Sequence, residues 1–357
     1  MKRILISLVL TVCLLDGQAL AAELPREVTE AAPEAASLVD GDPADGFGLT
    51  SGVRILVEGA LDDLKSYLFS GIRAVGAIMA GVVVLGAAES AAPAGKDLLG
   101  RYGTAIGALW VTAMAAGDLD SLMGLGRETI LRVSQLSKAL LPTLAAAEAA
   151  SGGITAASVR QVAAVFFSDV LLTLIDRLLL PAVYLYIGVA AAGTVLEGEA
   201  MERIGELLKK AVGWGLGALL ALFTTYLSVS GAVAGAADAQ AVKAAQSAVS
   251  AAVPVVGGIL AEAAESVLAG AGLLKGMIGT AGTLALLGTC LLPFLRLGCQ
   301  YLLYQGTSVV AAAAGPPKLT KLIARLGDAF ALVLAMTGAS AVLLLISLLS
   351  FMKAVTP

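Results

Sequence analysis

Residues 329–352 read AFALVLAMTGASAVLLLISLLSFM, a run of 24 residues without a charged side chain. As a helix this run is about 36 Å long, at about 1.5 Å per residue, which is enough to cross a hydrocarbon layer of about 30 Å. Comparable apolar runs occur at 70–88, 102–117, 162–196, 211–230, 271–292 and 297–314. Hydrocarbon offers no partner to backbone N–H and C=O groups, and the runs are continuous rather than alternating, so they predict helices and not a barrel. We expect an all-α, polytopic membrane protein with five to seven spans in the mature chain and some interrupted or interfacial helices.

The composition supports this class and excludes several kinds of chemistry. Charged residues make up 14% of the 357 residues and hydrophobic ones 58%, whereas a soluble domain has about 25% charged residues. Histidine is absent, which excludes Ser-His, Cys-His and His-metal sites. The three cysteines lie in apolar stretches, no phosphate-binding loop of the G-x-x-x-x-G-K-[ST] kind occurs, and the net charge is −4. We therefore expect no enzymatic activity, no metal, no cofactor and no nucleic-acid partner.

The N-terminal region divides into a targeting segment and an acidic segment. Residues 1–21 combine a basic start, an apolar core and the cleavage pattern Ala19-Leu20-Ala21, which predicts a cleavable signal peptide. Residues 22–69 form a short acidic segment that we expect to be extracytoplasmic. Within it, 53–69 has apolar residues at helical spacing, which predicts an amphipathic helix against the outer membrane face, a partner or the protein's own membrane domain. The polytopic domain is then 70–357.

The loop charges decide the topology only in part. Lysine and arginine favour the cytoplasmic side, which is where we expect Lys96, Arg101 and the basic residues of 197–210. Lys318 and its basic neighbours favour the same side. With 271–292 and 297–314 counted as two spans, however, these residues fall on the opposite side, so the topology after residue 271 stays undecided.

Prolines and glycines mark interruptions and close contacts. Helix breaks are predicted at Pro142, Gly152, Gly153, Pro181, Pro254, Gly257 and Gly258. Small-residue pairs four positions apart, which let helix backbones approach closely, are Gly103/Gly107, Gly213/Gly217 and Gly272/Gly276. Packing within one bundle is the favoured interpretation of these pairs, and a homo-oligomer interface is the alternative.

Three ionisable residues, Asp169, Asp176 and Arg177, lie inside the long apolar run 162–196. Charged groups within a span are costly and by default indicate function, so these residues are a candidate intramembrane polar site, such as a proton or ion pathway. The alternative is a structural ion pair or an interfacial position. A paired-aspartate protease is disfavoured, because its Gly-x-Gly-Asp motif is absent.

A series of short motifs gives the chain a family resemblance. Leu140-Leu141-Pro142 is followed by Ala150-Ser151-Gly152-Gly153, and Leu180-Pro181 lies in the next long span. A charged loop, the segment Val253-Pro254-Val255-Val256-Gly257, then Leu273-Leu274-Lys275-Gly276 and finally Gly315-Pro316 come after them. In this order and spacing the chain resembles the stage III sporulation protein AE family. It differs from that family in its high Ala and Gly content and its shorter N-terminal region.

The resemblance implies a function in endospore formation. It implies a subunit, conduit or scaffold, of the channel between the mother cell and the forespore, in the mother-cell-derived outer forespore membrane. The implied partners are the other proteins of the stage III sporulation A operon, a forespore membrane protein and the lipid bilayer. A self-sufficient secondary transporter of a small solute is the alternative, because the breaks at Pro142/Gly152 and Pro254/Gly257 resemble a pair of broken helices in an internal repeat.

Overall fold

The computed structural model describes residues 49–90, 97–196, 199–252 and 257–352. The signal peptide, most of the acidic segment and Pro254 lie outside these ranges. The described residues form helices and no strand, and the helices are α1 Leu49–Ser90, α2 Asp97–Ala150, α3 Ile154–Leu174, a π-helical turn Ile175–Leu179, α4 Leu180–Val195, α5 Glu199–Ala252, α6 Gly257–Ala314 and α7 Pro317–Met352. The all-α prediction is confirmed.

Within the described residues, five helical segments are long and apolar enough to cross a membrane. They are Leu56–Ala88, Ile154–Val195, Ala200–Ala245, Ser266–Ala313 and Pro317–Met352. This number agrees with the lower limit of the predicted five to seven spans. Helix α2 packs beside these segments but is not a candidate span, because charged residues recur along its length.

Contacts between helices fix the direction of each one. Helices α6 and α7 are antiparallel, since a Cβ on Gly279 would meet Met352 and one on Gly338 would meet Phe294. Helix α2 runs parallel to α7, because its Gly107 faces Leu319 near the start of α7 and its Gly126 faces Val333 farther along. We call the end of the bundle that holds the C-termini of α1, α4 and α6 end A. The opposite end, with the C-termini of α2 and α7, is end B.

Helix α6 is continuous from Gly257 to Ala314, with Pro293 inside it, so the apolar runs 271–292 and 297–314 belong to one helix and not to two. A proline removes one backbone hydrogen bond, and here the surrounding packing keeps the helix intact, with Phe294 against Gly338 and Leu297 fully buried. A single span also removes the conflict in the topology. The basic residues at the starts of α5 and α7 now lie together at end A.

The structure agrees with some of the predicted helix breaks and contradicts others. Pro142 lies inside α2, so a break there is wrong; its neighbours Leu140, Leu141 and Leu144 are fully buried and hold the helix. Gly152 and Gly153 do separate α2 from α3, and the φ of +96° at Gly152 favours glycine. Gly257 and Gly258 begin α6 after α5 has ended at Ala252, so the break predicted there separates two helices.

Two further boundaries disappear in the structure. The amphipathic segment 53–69 and the span 70–88 are one helix, α1, so no separate interfacial helix exists there. The apolar segment 102–117 and the amphipathic segment 118–141 are likewise both part of α2. The hydrophobic pattern changes along these helices while the backbone hydrogen bonding continues. Pattern alone therefore placed boundaries where only the environment of the helix changes.

Of the predicted glycine contacts, one lies in the bundle. A Cβ on Gly107 would come within 2.5 Å of Leu319 Cδ1 and 2.9 Å of Leu85 Cδ1, so this glycine permits close packing of α2 on α1 and α7. The other five predicted glycines have open space within 4 Å, and a packing role inside this chain is wrong for them: Gly103, Gly213, Gly217, Gly272 and Gly276. Proximity of small residues in sequence does not tell which helix face meets a neighbour. A homo-oligomer interface at these residues stays a prediction.

Candidate functional site

The two aspartates predicted from sequence both pair with helix α2. Arg127 Nε donates a hydrogen bond to Asp176 Oδ1 at 2.9 Å, and its Nη2 donates to Oδ2 at 3.4 Å. Lys138 Nζ lies 3.3 Å from Asp169 Oδ1. Both contacts join the antiparallel helices across the same face. The structure thus places the two carboxylates in separate ion pairs rather than in one shared site.

These pairs belong to a longer polar surface. Within α2, Arg132 Nη2 donates to Glu128 Oε1 at 2.8 Å. We call the surface formed by the following residues the α2–α3 charged face: Arg127, Glu128, Arg132, Lys138, Asp169 and Asp176. The side chains of Arg127 and Lys138 are 57% and 56% exposed. The third predicted residue, Arg177, is exposed and takes no part in the ion pairs described for this face.

The charged face lies beside an uncharged part of α7. Gly126 packs against Val333, and Leu140 and Leu348 both contact Gly282, so residues 126–140 of α2 run along 333–348 of α7. That part of α7 contains no charged residue. A charged side chain at this depth cannot be solvated by lipid tails. The charged face therefore requires water or another protein surface in front of it.

A π-helical turn positions Asp176 and Arg177. Leu180 N–H donates to Ile175 C=O, the five-residue spacing of a π-helix, over Ile175–Leu179. Pro181 follows at the start of α4 and has no N–H to offer the preceding turn. The predicted break at Pro181 is thus a widened turn and not an interruption, because α3, the turn and α4 remain helical throughout. Such turns are frequent at functional sites.

A cavity opens between α2 and α6 next to the charged face. Its volume is about 220 Å³, and its polar lining includes Glu128, Arg132, Thr129, Thr289 and Arg296. Arg296 lies over the ring of Tyr67 in α1, with the guanidinium carbon 5.7 Å from the ring centre. Two arginines and one glutamate are therefore among the residues that line the cavity.

Asp118 anchors a hydrogen-bonded network below this cavity. Gln300 Nε2 donates to Asp118 Oδ2 at 2.7 Å, and Tyr304 Oη donates to the same oxygen at 3.3 Å. Tyr67 Oη donates to Gln300 Oε1 at 3.3 Å. Burial raises the pKa of Asp118, and the hydrogen bonds from Tyr304 and Gln300 offset part of that rise. The network connects α1, α2 and α6 through polar groups that are all partnered.

Four charged residues are buried near end B. Asp238 of α5 accepts hydrogen bonds from the backbone N–H groups of Thr155 at 3.0 Å and Ala156 at 2.7 Å, so it caps the start of α3. Glu148 of α2 pairs with Arg160 of α3, and both side chains are buried. Lys275 of α6 is 3% exposed and interacts electrostatically with Glu148. This buried charge cluster joins four helices.

Sequence reasoning missed the functional potential of this buried charge cluster. Each member is a lone ionisable residue in an Ala-rich, weakly apolar stretch. That isolation was the available signal, since a single charge among apolar residues needs a partner from another element. Burial raises the pKa of Glu148, and Arg160 counteracts this effect.

End A carries exposed ion pairs between α5 and α7. Glu202 Oε1 lies 3.0 Å from Arg325 Nη2 and 3.5 Å from Lys321 Nζ, and Lys209 Nζ lies 2.7 Å from Asp328 Oδ2. These contacts fix the start of α7 against the start of α5. Both segments are rich in lysine and arginine, which marks end A as the more basic end of the bundle.

The fold and the charged surfaces define a multi-pass helical membrane protein. The chain belongs to the stage III sporulation protein AE family, whose family model matches residues 49–354. It is similar to stage III sporulation protein AE from Bacillus subtilis (strain 168), with 23% identity over 210 residues, which covers 58% of this chain and 53% of that protein. The matched part thus spans about half the length of that curated relative. No solved structure matches the chain.

Proposed function

We propose that this protein is a non-enzymatic membrane subunit, conduit or scaffold, of the mother cell–forespore channel complex required for forespore development. Membership of the sporulation family supports a function in endospore formation. The observation that carries the channel proposal is the α2–α3 charged face, which runs alongside the uncharged part of α7. A membrane protein whose charged surface lies at this depth fits an assembly with a water-filled or protein-lined interior.

The proposed location is the mother-cell-derived outer forespore membrane, with end A in the mother-cell cytoplasm. The lysine and arginine residues at the starts of α5 and α7 support this orientation, because such residues are retained on the cytoplasmic side. End B and the extracytoplasmic N-terminus then face the space between the two membranes. The proposed partners are the other proteins of the stage III sporulation A operon and a forespore membrane protein.

The comparisons with known proteins give the transporter alternative no support. Of the breaks near Pro142/Gly152 and Pro254/Gly257 that motivated it, Pro142 lies inside a continuous helix, whereas Gly152 lies between α2 and α3 and Gly257 begins α6. A proton or ion pathway through Asp169 and Asp176 would not consist of two free carboxylates, since each of them forms an ion pair with a cationic side chain of α2. We propose instead that these pairs line a polar path or hold a partner against the charged face.

Deletion of the gene in its sporulating host tests the proposed function. We expect engulfment to proceed normally, after which a late forespore reporter stays silent and the forespores collapse. Normal spores with a defect confined to the uptake of a small solute would contradict the channel proposal.

Variants of the α2–α3 charged face test whether that surface is needed for the function. Complementation with Asp176→Asn is expected to lower reporter activity, because it removes the partner of Arg127 on the charged face. Asp120→Asn is the matched control, since Asp120 is also an exposed aspartate beside this face and belongs to none of its ion pairs. Membrane levels of both variants are compared by immunoblot. Equal reporter activity in the two strains would exclude the charged face from the function.

A further inference from the structure

The cavity between α2 and α6 contains a cation without an anionic partner. Arg132 is matched by Glu128 at 2.8 Å, but no carboxylate in the described part of the chain lies within ion-pair distance of Arg296. The Nε atom of Arg296 is buried and has no hydrogen-bond partner. Arg296 also lies within the candidate span Ser266–Ala313, where an uncompensated charge is costly. The aromatic ring of Tyr67 covers one side of the guanidinium but supplies no acceptor for its N–H groups.

The same cavity also offers hydrogen-bond acceptors. Pro293 has no N–H, so the carbonyl of Thr289, four residues earlier in α6, lacks its helical donor. Pro293 and Thr289 are among the residues that line the cavity, and so is Glu128. An anionic ligand that also carries a donor would satisfy the guanidinium at one end and these oxygens at the other. A simple inorganic anion would leave the oxygens without a partner.

We propose that the cavity between α2 and α6 binds a small carboxylate that carries a hydroxyl or ammonium donor, with Arg296 holding the carboxylate. The ligand's donor lies against Glu128 and the carbonyl of Thr289. The volume of about 220 Å³ sets the size of the ligand. An engineered apolar cavity of about 150 Å³ holds benzene, so this cavity accommodates roughly six to ten non-hydrogen atoms. Hydroxy acids and amino acids of this size are the class that fits. The proposal does not depend on the channel function, because binding is a property of the purified chain.

Direct binding to the full chain in detergent tests this site. A scintillation proximity assay with radiolabelled lactate and alanine is expected to give saturable binding to the wild type. Arg296→Gln should weaken the affinity by at least about tenfold, the fold-change that follows from losing one hydrogen bond to a charged group. Arg296→Lys keeps the charge but loses the planar fork, so it should bind with intermediate affinity. Arg177→Gln is the matched control, since Arg177 is exposed and does not line the cavity.

Each outcome of the binding assay either supports or overturns the proposed site. Saturable binding to the wild type and to Arg177→Gln, together with its loss in Arg296→Gln at an unchanged melting temperature, supports the site. Absence of saturable binding to the wild type, or wild-type affinity in Arg296→Gln, overturns it. Should acetate, which has no donor beside its carboxylate, bind as tightly as lactate, the contribution of Glu128 and the Thr289 carbonyl is refuted.

Discussion

Replacing Arg160 with methionine tests the buried charge cluster most directly. Arg160 pairs with Glu148, whose side chain has no exposed surface. Glu148 also lies in the last turn of α2, where the negative end of the helix dipole disfavours a carboxylate. Without Arg160, the carboxylate keeps only Lys275 as a compensating charge and remains near Asp238. Breaking one side of a buried ion pair costs about 3–5 kcal/mol, and we expect Arg160→Met to lower the free energy of unfolding by that amount.

The assay is equilibrium unfolding in mixed micelles, with the SDS fraction as the variable. The double variant Glu148→Gln/Arg160→Met removes both charges of the pair and should recover part of the lost stability, because the buried carboxylate that Arg160 compensated is gone, although Lys275 then loses its interaction with Glu148. Arg177→Met is the control for losing an exposed arginine and should stay within about 0.5 kcal/mol of the wild type. A loss below about 1 kcal/mol in Arg160→Met, or a double variant no more stable than the single one, would refute the reasoning.

Three further outcomes are expected in the same assay. Asp238→Ala removes the cap of α3 and should cost about 1–2 kcal/mol, and Asp238→Asn should cost less because its side-chain oxygen still accepts a hydrogen bond. Gly107→Val places its side chain against Leu319 and should cost about 1–3 kcal/mol, whereas Gly103→Val, which meets open space, should cost less; equal losses would contradict the packing argument. Because burial raises the pKa of Glu148 in the folded state, that state keeps its proton to a higher pH than the unfolded chain does. The unfolding free energy of the wild type should therefore fall, relative to Glu148→Gln, as the pH rises from the ordinary glutamate pKa through the raised one, and a constant difference over that range would exclude this coupling.

The buried and the exposed charged residues of this protein are expected to affect different properties. The buried charge cluster near end B joins α2, α3, α5 and α6, so its replacement is expected to change stability first. The α2–α3 charged face is exposed, and ion pairs of this kind contribute little to stability, about 0–1 kcal/mol. The presence of this face beside the uncharged part of α7 therefore needs an explanation other than a contribution to folding stability. A water-filled path or a docked partner supplies one.

Much of the fold could be predicted from sequence because a hydrocarbon environment restricts the secondary structure that a segment can form. Runs such as 329–352 can only be helices in hydrocarbon, so the helical class and the approximate number of spans follow from composition. The break at Gly152 and Gly153 is also local in origin, because a positive φ is costly for other residues. The polar character of Asp169 and Asp176 within a long apolar run was visible as well.

Other features were decided by tertiary structure. Pro142 and Pro293 each remove one helical hydrogen bond, and the packing of buried leucines and of Phe294 against Gly338 outweighs that local cost. The identity of an ion-pair partner is not encoded near the residue itself. Arg127 is 49 positions from Asp176, and Asp238 is 83 positions from Thr155. The sequence by itself therefore determined where helices form, since that depends on the solvent around each segment. Only the packed bundle decided which helices are continuous and which charges meet, because both depend on contacts between segments distant in the chain.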